Sequence, residues 1–413
     1  WPRGHRGQDW EGSRSRCRVR RVGGTVLGVL VATRAGADGR GRRDPRQRAV
    51  QEVVGRGGSS AADGELRSAE RYEELLKSAR EVNDGADKYQ TSLDAADPIV
   101  QSLLGPRIGV KEVLSYELLE SRWNGNELLK YETDRGPFCV KMNRVEPVEV
   151  FTAESLGLVS ILKASASVRA PKPLDIGKLP KVGDIGPGSF LVMEWVEAVP
   201  FGTLQSQNQA KLGAMVAEMH NSSHHAFEGV HKGRFGFPVN NWLSLNAQLN
   251  DWTPSWADFF AARLRRQVRR AYTCPAYGGA AGDKGAGEPL LGSGPEDQEL
   301  AELGAQLDAE LPRFLGPERL LGLRPALVHG DLWIGNVLAD KDGPVLIDPA
   351  CYFGHAEVEL SIMSLFGGFT PEFYKAYHER IPQADGFDGR QRLYQAYHWL
   401  NQFNLFGDPR ARE

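Results

Sequence analysis

Three side chains that can offer oxygen atoms follow one another near the carboxyl-terminal end of the chain. Asn336 lies five residues after Asp331, and Asp348 lies twelve residues after Asn336. Protein kinases place a catalytic Asp and a magnesium-binding Asn at the same offset of five, and a second magnesium-binding Asp follows. Phosphoryl transfer needs groups that position the reactants and neutralise charge. The spacing therefore predicts a phosphotransferase in which Asp331 accepts or orients the proton of an acceptor hydroxyl.

The residues around Asp331 suit the same chemistry. Magnesium binds oxygen ligands and shares phosphate oxygens, so Asn336 and Asp348 are the predicted metal ligands and ATP is the predicted phosphoryl donor. His329 is expected to brace the loop by hydrogen bonds. The alternative is a strand–turn–strand segment in which Asp and Asn only form turns. The apolar strand and the Asp-Pro-Ala run that follow favour the kinase interpretation, because each part stands in the context that it requires.

The segment between Asn336 and Asp348 predicts how the second carboxylate is carried. Two apolar runs flank the turn sequence Lys341-Asp342-Gly343-Pro344, which indicates a β-hairpin with Asp348 at its end. Pro349 stands where protein kinases have Phe, and a helical pattern resumes near Glu357. This short interval leaves no room for a phosphorylated activation loop. A kinase that acts on small molecules or modified groups is therefore favoured over a protein Ser/Thr kinase.

A kinase also needs a strand Lys for the nucleotide phosphates and a helix Glu that pairs with it. Lys141 ends a predicted strand over residues 137–141, and Glu154 lies in a predicted helix over residues 148–162. Glu149 is the alternative partner in the same helix. The sequence thus predicts a Lys141–Glu154 pair.

A further apolar strand over residues 190–196 stands where the hinge of a kinase runs. Met193, Glu194 and Val196 are accordingly predicted to bind ATP, the last two through backbone groups that meet the adenine. An ordinary buried strand is the alternative for this stretch taken alone.

These elements predict an α+β, bilobal, protein-kinase-like fold with a small β-rich first lobe and a larger helical second lobe. The first lobe and its hinge are expected over residues 96–198. The helical lobe with the catalytic loop is expected over residues 199–413, with a Gly-rich insertion over residues 274–298. Residues 1–95 are expected to form a disordered or targeting extension and a linker.

The charge distribution bears on partners and location. The net charge is −3, but residues 1–60 hold 14 basic and 5 acidic residues, so the rest of the chain is acidic. An acidic body argues against nucleic-acid binding, and no apolar run reaches the roughly 18 residues of a membrane span. The four cysteines lack metal-ligand spacing and favour a reducing compartment, so secretion is not expected. The Arg-rich amino-terminal region leaves plastid and cytoplasm as alternatives.

Several longer runs narrow the class of kinase. They include Tyr131-Glu132-Thr133-Asp134, Phe235-Gly236-Phe237, His329-Gly330-Asp331-Leu332-Trp333-Ile334-Gly335-Asn336, Asp348-Pro349-Ala350-Cys351-Tyr352-Phe353-Gly354-His355 and Tyr397-His398-Trp399-Leu400-Asn401. On these runs, residues 118–407 resemble the fructosamine/ketosamine-3-kinase family, and in particular the protein-ribulosamine 3-kinases of plants and algae. The Trp after Asp-Leu and the Asp-Pro-Ala-x-x-x-Gly-His run distinguish this family from aminoglycoside and choline kinases.

The resemblance implies an ATP- and magnesium-dependent kinase for the 3-hydroxyl of ketosamines, such as ribulosamines and fructosamines, free or on glycated protein lysines. The phosphorylated adduct is unstable and releases the lysine, so the implied role is protein deglycation. Asp331 would be the catalytic base, and Trp333 would form a wall of the sugar pocket. His329, His355 and His398 are further candidates for that pocket, and a monomer is expected.

The chain departs from the family at the loop that should hold the phosphates. The family has Gly-Gly-Gly-Cys-Ile there, whereas this chain has Ser121-Arg122-Trp123-Asn124-Gly125-Asn126. Glycines let backbone N–H groups approach phosphate, so the bulky Trp123 is expected to weaken that cradle. Two alternatives stay open: a small-molecule kinase of the aminoglycoside or choline type, and a pseudokinase that only binds. Retention of all four predicted catalytic and ligand-binding residues argues against the pseudokinase.

Overall fold

The structure is a computed structural model, and it describes residues 97–122, 124–144, 146–182, 187–201, 206–273, 298–317 and 320–406. The predicted extension over residues 1–95 lies outside the described residues. The same holds for residues 274–297 of the predicted insertion and for Trp123.

An antiparallel five-stranded sheet forms the first lobe, in the order β1-β2-β3-β5-β4. Its strands are β1 (Val113–Ser121), β2 (Asn126–Thr133), β3 (Gly136–Asn143), β4 (Pro173–Leu179) and β5 (Gly188–Glu194). Helix α1 (Pro98–Leu104) precedes the sheet, and α2 (Val148–Ala164) connects β3 to β4. The predicted strands around Lys141 and Met193 and the predicted helix around Glu154 are confirmed.

Strand β5 is buried on both faces because its alternate side chains join two different apolar clusters. Phe190 and Val192 pack into a cluster with α1, whereas Leu191 and Met193 pack into the large cluster that includes α2 and the second lobe. Successive side chains of a strand point to opposite faces of the sheet, so one apolar run can serve both clusters. β5 therefore ties the sheet to the rest of the molecule at the predicted hinge.

The second lobe is mainly helical, and the bilobal α+β arrangement confirms the predicted protein-kinase-like fold. Its helices are α3 (Ser206–Ala226), α4 (Glu228–His231), α5 (Trp256–Thr273), α6 (Gln298–Leu315), α7 (Glu357–Phe366), α8 (Pro371–His378) and α9 (Phe387–Phe406). Its short strands are β6 (Val199–Pro200), β7 (Asn241–Leu243), β8 (Asn246–Gln248), β9 (Ala326–Val328), β10 (Val337–Asp340), β11 (Gly343–Leu346) and β12 (Tyr352–Gly354). The domain boundaries at residues 95 and 198 stay a prediction. Among the described helices, none combines the length and the apolar character needed to cross a bilayer.

The core of the second lobe is built around aromatic side chains. Trp256 of α5 is almost fully buried and packs against Phe260, Tyr352 and Tyr394. Its indole N–H donates to the hydroxyl of Tyr394 at 2.9 Å. A buried indole needs such a partner, because an unpaired polar group in the core is costly. This bond fixes α5 against α9.

Two strand pairs bring the predicted chemical residues together. β10 and β11 form an antiparallel hairpin, and β9 pairs with β12. The catalytic loop follows β9, and Asp348 lies between β11 and β12. Because β9 pairs with β12, the loop and Asp348 lie at the same end of this strand pair. The hairpin is confirmed, but its turn is shorter than predicted because Gly343 already pairs with Asp340. Gly343 has a φ of 134°, a conformation that glycine tolerates and most residues do not.

A buried ion pair anchors the start of α7. Arg390 of α9 is 1 % exposed, and its guanidinium donates to both carboxylate oxygens of Glu357 at 2.7 and 2.8 Å. A third N–H group of Arg390 donates to the carbonyl of Asp385 at 2.7 Å. Removing one partner of such a pair leaves a buried charge without compensation.

We expect Arg390→Ala to lower the free energy of unfolding by about 3–5 kcal/mol, because Glu357 loses its buried partner. Urea unfolding monitored by circular dichroism measures this loss. The matched control is Arg313→Ala, which breaks an exposed pair with Glu310 and should cost less than about 1 kcal/mol. Equal losses in the two variants would contradict a structural role for the buried pair.

Candidate active site

The catalytic loop places Asp331 and Asn336 in direct contact. Asn336 ends a short 3-10 helix (Ile334–Asn336), and its side-chain amide donates to the Asp331 carboxylate at 3.0 Å and to the Asp331 carbonyl at 2.8 Å. With the amide nitrogen committed to Asp331, the amide oxygen of Asn336 is the atom left to bind a cation. The loop thus presents one carboxylate and one amide oxygen side by side.

Gly330 lets the catalytic loop approach the segment after Asp348. Its φ is 82°, and a Cβ there would lie 2.1 Å from the carbonyl oxygen of Ala350. The Ala350 N–H donates to the His329 carbonyl at 2.9 Å across the same contact. Any side chain at Gly330 would force these two segments apart, and with them Asp331 and Asp348.

His329 lies beneath the loop and not in an open pocket. It is fully buried, with Nε2 2.9 Å from the Ile347 carbonyl, and its Nδ1 accepts from the Asp331 N–H at 3.3 Å. Burial lowers the pKa of His329, which favours a neutral ring with its proton on Nε2. This is the bracing position expected from the sequence, and the geometry gives His329 no access to a substrate.

Glu359 of α7 holds the loop from below, and the sequence interpretation missed it. Its carboxylate accepts the backbone N–H groups of His329 and Gly330, the latter at 3.0 Å. The side chain is 1 % exposed, and Nε2 of His220 lies 3.6 Å away. A Glu between Val358 and Leu360 in an apolar helix was the available signal, because an unpaired buried carboxylate is costly.

Asp348 faces the first lobe and contacts Lys141. Lys141 Nζ lies 3.1 Å from Oδ1 of Asp348 and 2.8 Å from Oε2 of Glu154. The structure therefore pairs Lys141 with Glu154, while the alternative Glu149 lies in the first turn of the same helix. Burial alone would lower the pKa of Lys141, but the charges of Asp348 and Glu154 raise it, so the amine stays protonated.

Arg122 at the end of β1 is a second cation that the sequence interpretation did not assign. Its Nη1 lies 2.5 Å from Oδ2 of Asp348. Burial would raise the pKa of Asp348, but the charges of Lys141 and Arg122 hold it well below its usual range. Because Trp123 lies outside the described residues, the weakened phosphate cradle stays a prediction.

An apolar slot opens beside these charges. Arg122, Lys141 and Asp348 line one end of the slot. Its other walls include Cys139, Leu158, Met193, Val196, Leu338 and Ile347. An apolar slot with a charged end matches a nucleotide, whose base is apolar on its faces and whose phosphates are anionic.

The predicted hinge residues Met193, Glu194 and Val196 all line this slot. Met193 is buried, and the backbone N–H of Glu194 donates to the Lys172 carbonyl at 2.9 Å. That N–H is thus committed within the protein. The contacts of the Glu194 carbonyl and of Val196 with adenine stay a prediction.

The candidates for the acceptor pocket separate into one exposed and two buried side chains. Trp333 is 40 % exposed next to Asp331 and meets Phe366 edge to face. His355 and His398 are buried in the helical core, where His355 Nδ1 lies 2.9 Å from the Tyr394 hydroxyl. Burial lowers the pKa of both histidines to about 4, so they are neutral. The geometry places Trp333 at the site and gives the two histidines a packing role.

The carboxyl group of Asp331 has a strongly shifted pKa. Burial raises the pKa of Asp331 to about 8, against the opposing effect of the hydrogen bond from Asn336. The described residues contain no group of three or more His, Cys, Asp or Glu side chains arranged to hold a metal. Magnesium often binds through one or two protein oxygens together with substrate phosphates. Asn336 and Asp348 fit that pattern.

Comparisons with known proteins agree with this geometry. A family model described as fructosamine kinase matches residues 123–281 and 297–413. Mouse ketosamine-3-kinase is 36 % identical over 296 residues, which cover 67 % of this chain and 85 % of the relative. A protein-ribulosamine 3-kinase of Oryza sativa subsp. indica, named as chloroplastic, is 37 % identical over 281 residues, or 67 % of this chain and 70 % of the relative.

A solved structure from Thermobifida fusca YX-ER1, assigned as a fructosamine-3-kinase, shares the fold. It is 26 % identical and superposes with a TM-score of 0.54 over 72 % of this chain and 90 % of its own. The bilobal architecture is therefore common to this chain and to a protein of that assignment.

The raised pKa of Asp331 predicts a pH-dependent effect on stability. The folded protein holds a proton on Asp331 up to about pH 8, whereas the unfolded chain releases it near pH 4. The wild type therefore loses stability through this group as the pH rises from about 4 to 8. Asp331→Asn has no such group, so its stability relative to the wild type should rise by up to about 1.4 kcal/mol per pH unit in this window.

Urea unfolding of both proteins without ligand, at intervals from pH 5 to pH 9, measures this difference. It should level off above pH 8, where Asp331 is ionised in both states. A stability difference that stays constant from pH 5 to pH 9 would contradict a raised pKa of Asp331.

Proposed function

Because this chain belongs to the fructosamine kinase family, we propose that it transfers the γ-phosphoryl group of ATP to the 3-hydroxyl of a ketosamine. The observation that carries the proposal is the meeting of four side chains from both lobes. Lys141 and Asp348 line the end of the apolar slot, and the catalytic loop with Asp331 and Asn336 lies next to Asp348, because the Ile347 N–H donates to the Asn336 carbonyl. Lys141 contacts Asp348, and Asn336 contacts Asp331. Phosphoryl transfer depends on such positioning and charge neutralisation, since little covalent work falls to the protein.

The nucleotide would enter with its base in the apolar slot and its phosphates toward Lys141. The amine of Lys141 is fixed by Glu154 at 2.8 Å and stays protonated, so it offers a positive charge at a defined position. Met193 and Val196 would border the base. The same ion pair orients the phosphate lysine in other kinases of this fold.

Asn336 and Asp348 would hold magnesium together with phosphate oxygens. The carboxylate of Asp348 already meets two cations, which shows that it sits where positive charge is favoured. Magnesium, when bound, would neutralise the charge that develops on the transferred phosphoryl group. The hydrogen bond from Asn336 to Asp331 links these ligands to the catalytic carboxylate.

Asp331 would orient the acceptor hydroxyl and take up its proton. The raised pKa keeps Asp331 protonated near neutral pH when no cation is bound beside it, and the positive charge of magnesium at Asn336 and Asp348 would lower that pKa so that the carboxylate can accept the proton. Trp333 is exposed beside it and offers a flat surface to a sugar chain. Glu359 and His329 keep the loop rigid, so that Asp331 does not have to be ordered when substrate arrives.

The names of the relatives support ketosamines as acceptors, and the role would be deglycation of protein lysines. Mouse ketosamine-3-kinase and the rice protein-ribulosamine 3-kinase match most of their own lengths. The rice relative is named as chloroplastic, and residues 1–50 are Arg-rich, so a plastid is one proposed location and the cytoplasm the other. A monomer that binds neither nucleic acid nor membrane stays a prediction.

The direct test offers Mg·ATP and a lysine peptide that carries a ribulosamine, and it measures phosphorylated peptide by mass spectrometry. We expect transfer with the wild type and a loss of at least about 100-fold with Asp331→Asn, because the proton acceptor is removed. Asp342→Asn is the matched control, since Asp342 lies in the exposed turn of the same hairpin. It should leave the rate unchanged.

A fructosamine peptide, an aminoglycoside and choline serve as rival acceptors in the same assay. Transfer to an aminoglycoside or to choline but not to either ketosamine would replace the proposal with a different small-molecule kinase. Binding of ATP without transfer to any of the four acceptors would favour a pseudokinase.

A further inference from the structure

Arg122 projects from the turn between β1 and β2 into the charged end of the nucleotide slot. Its Nη1 lies 2.5 Å from Oδ2 of Asp348, while Nε and Nη2 lie 3.2 and 3.3 Å from the two carboxylate oxygens of Glu120. The side chain is 34 % exposed and lines the slot. This guanidinium is separate from the Lys141–Glu154 pair that the proposed function uses.

The described residues of the turn that carries Arg122 are tied to each other and to β3 by hydrogen bonds. The Arg122 N–H donates to the Asn126 carbonyl at 2.8 Å, and the Gly125 N–H donates to the Arg122 carbonyl at 2.9 Å. The side-chain amide of the buried Asn143 donates to Oδ1 of Asn126 at 2.8 Å and to the Asn124 carbonyl at 3.2 Å. Asn143 thereby fastens the turn to β3, and Arg122 reaches the slot from a fixed base.

The contacts of Asp348 define the position of Arg122 in this structure. One carboxylate oxygen of Asp348 faces Lys141 and the other faces Arg122. Both carboxylate oxygens that a metal could bind therefore lie close to a protein cation. A metal that binds Asp348 takes over the charge compensation that Arg122 provides.

Once released from Asp348, Arg122 remains on the same turn at the same end of the slot. The phosphates of a nucleotide would be the nearest strong anions there, because Lys141 and Asp348 border that end as well. Glu120 holds Nε and Nη2 of Arg122, and the Nη1 group that leaves Asp348 carries two N–H bonds that can donate to phosphate oxygens. The turn has a single glycine, Gly125, whereas glycines are what let backbone N–H groups approach phosphate closely. A cationic side chain in the turn can attract the phosphates instead.

We propose that Arg122 is a phosphate-binding residue that exchanges Asp348 for the triphosphate of the nucleotide. The inference rests on the proposed function, since it assumes that the slot binds ATP. It adds a specific role for the divergent turn: the β1–β2 segment binds phosphate through a side chain. Arg122 contributes to the affinity for the phosphates and not to the affinity for the base.

The test compares affinities for ligands that share the base and differ in phosphates. Isothermal titration calorimetry gives the Kd of ATP, ADP and adenosine, each with and without magnesium, for the wild type, Arg122→Gln and Arg122→Lys. Arg107→Gln is the matched control, because it removes an exposed ion pair with Asp175 elsewhere in the first lobe.

We expect Arg122→Gln to raise the Kd of Mg·ATP at least about tenfold, while the Kd of adenosine changes less than twofold. Arg122→Lys should recover part of the loss, since it keeps the charge but not the planar guanidinium that contacts Glu120 and the slot at the same time. Arg107→Gln should bind every ligand as the wild type does. An unchanged Kd of adenosine also shows that the variant is folded and that its slot is intact.

Two results would overturn the inference. Equal Kd values of Mg·ATP for the wild type and Arg122→Gln would mean that Arg122 does not contact phosphate. Tighter binding by Arg122→Gln would mean that Arg122 only competes with magnesium for Asp348. If the wild type itself does not bind ATP, the proposed function is wrong. If the wild type binds ATP and Arg122→Gln binds it equally well, only the inference about Arg122 is wrong.

Discussion

The ion pairs of Asp348 join the sheet of the first lobe to the catalytic hairpin of the second. Its carboxylate lies 3.1 Å from Lys141 Nζ, and Lys141 lies 2.8 Å from Glu154. Asp348 holds a φ of 55°, a left-handed conformation that costs a non-glycine residue about 1–3 kcal/mol. The surrounding contacts hold this strained backbone in place. The slot and Arg122 of the β1–β2 turn both border this one carboxylate.

A second layer of buried charge supports that arrangement from α7. Glu357 at the start of the helix binds Arg390 of α9, and Glu359 accepts two backbone N–H groups of the catalytic loop. Buried charges add little net stability compared with apolar packing, but an unpaired one is costly. The carboxylates of Glu357 and Glu359 are therefore stable only where their hydrogen-bond partners lie. Because α7 is bound to α9 at Glu357 and to the catalytic loop at Glu359, the packing of the second lobe sets the position of the loop that carries Asp331.

The fold and much of the candidate site could be predicted where the information is local. The predicted strand at Lys141, the helix at Glu154 and the hairpin before Asp348 all depend on side-chain period and turn residues within short segments. The hairpin turn was predicted too long because Gly343 adopts a φ of 134° and enters the ladder. Local propensity identifies a turn sequence, but it does not show which residues of that sequence also pair with the neighbouring strand.

By itself, the sequence determined the class of chemistry, since the residue types and the offsets of Asp331, Asn336 and Asp348 already match phosphoryl transfer. Only the tertiary structure decided which side chains meet them. Arg122 reaches Asp348 across 226 residues, and Glu359 reaches the loop across about 30. Packing also placed His329 under the loop. Short offsets are fixed by the geometry of one strand or turn, whereas contacts between distant segments depend on how the whole chain buries its apolar surface.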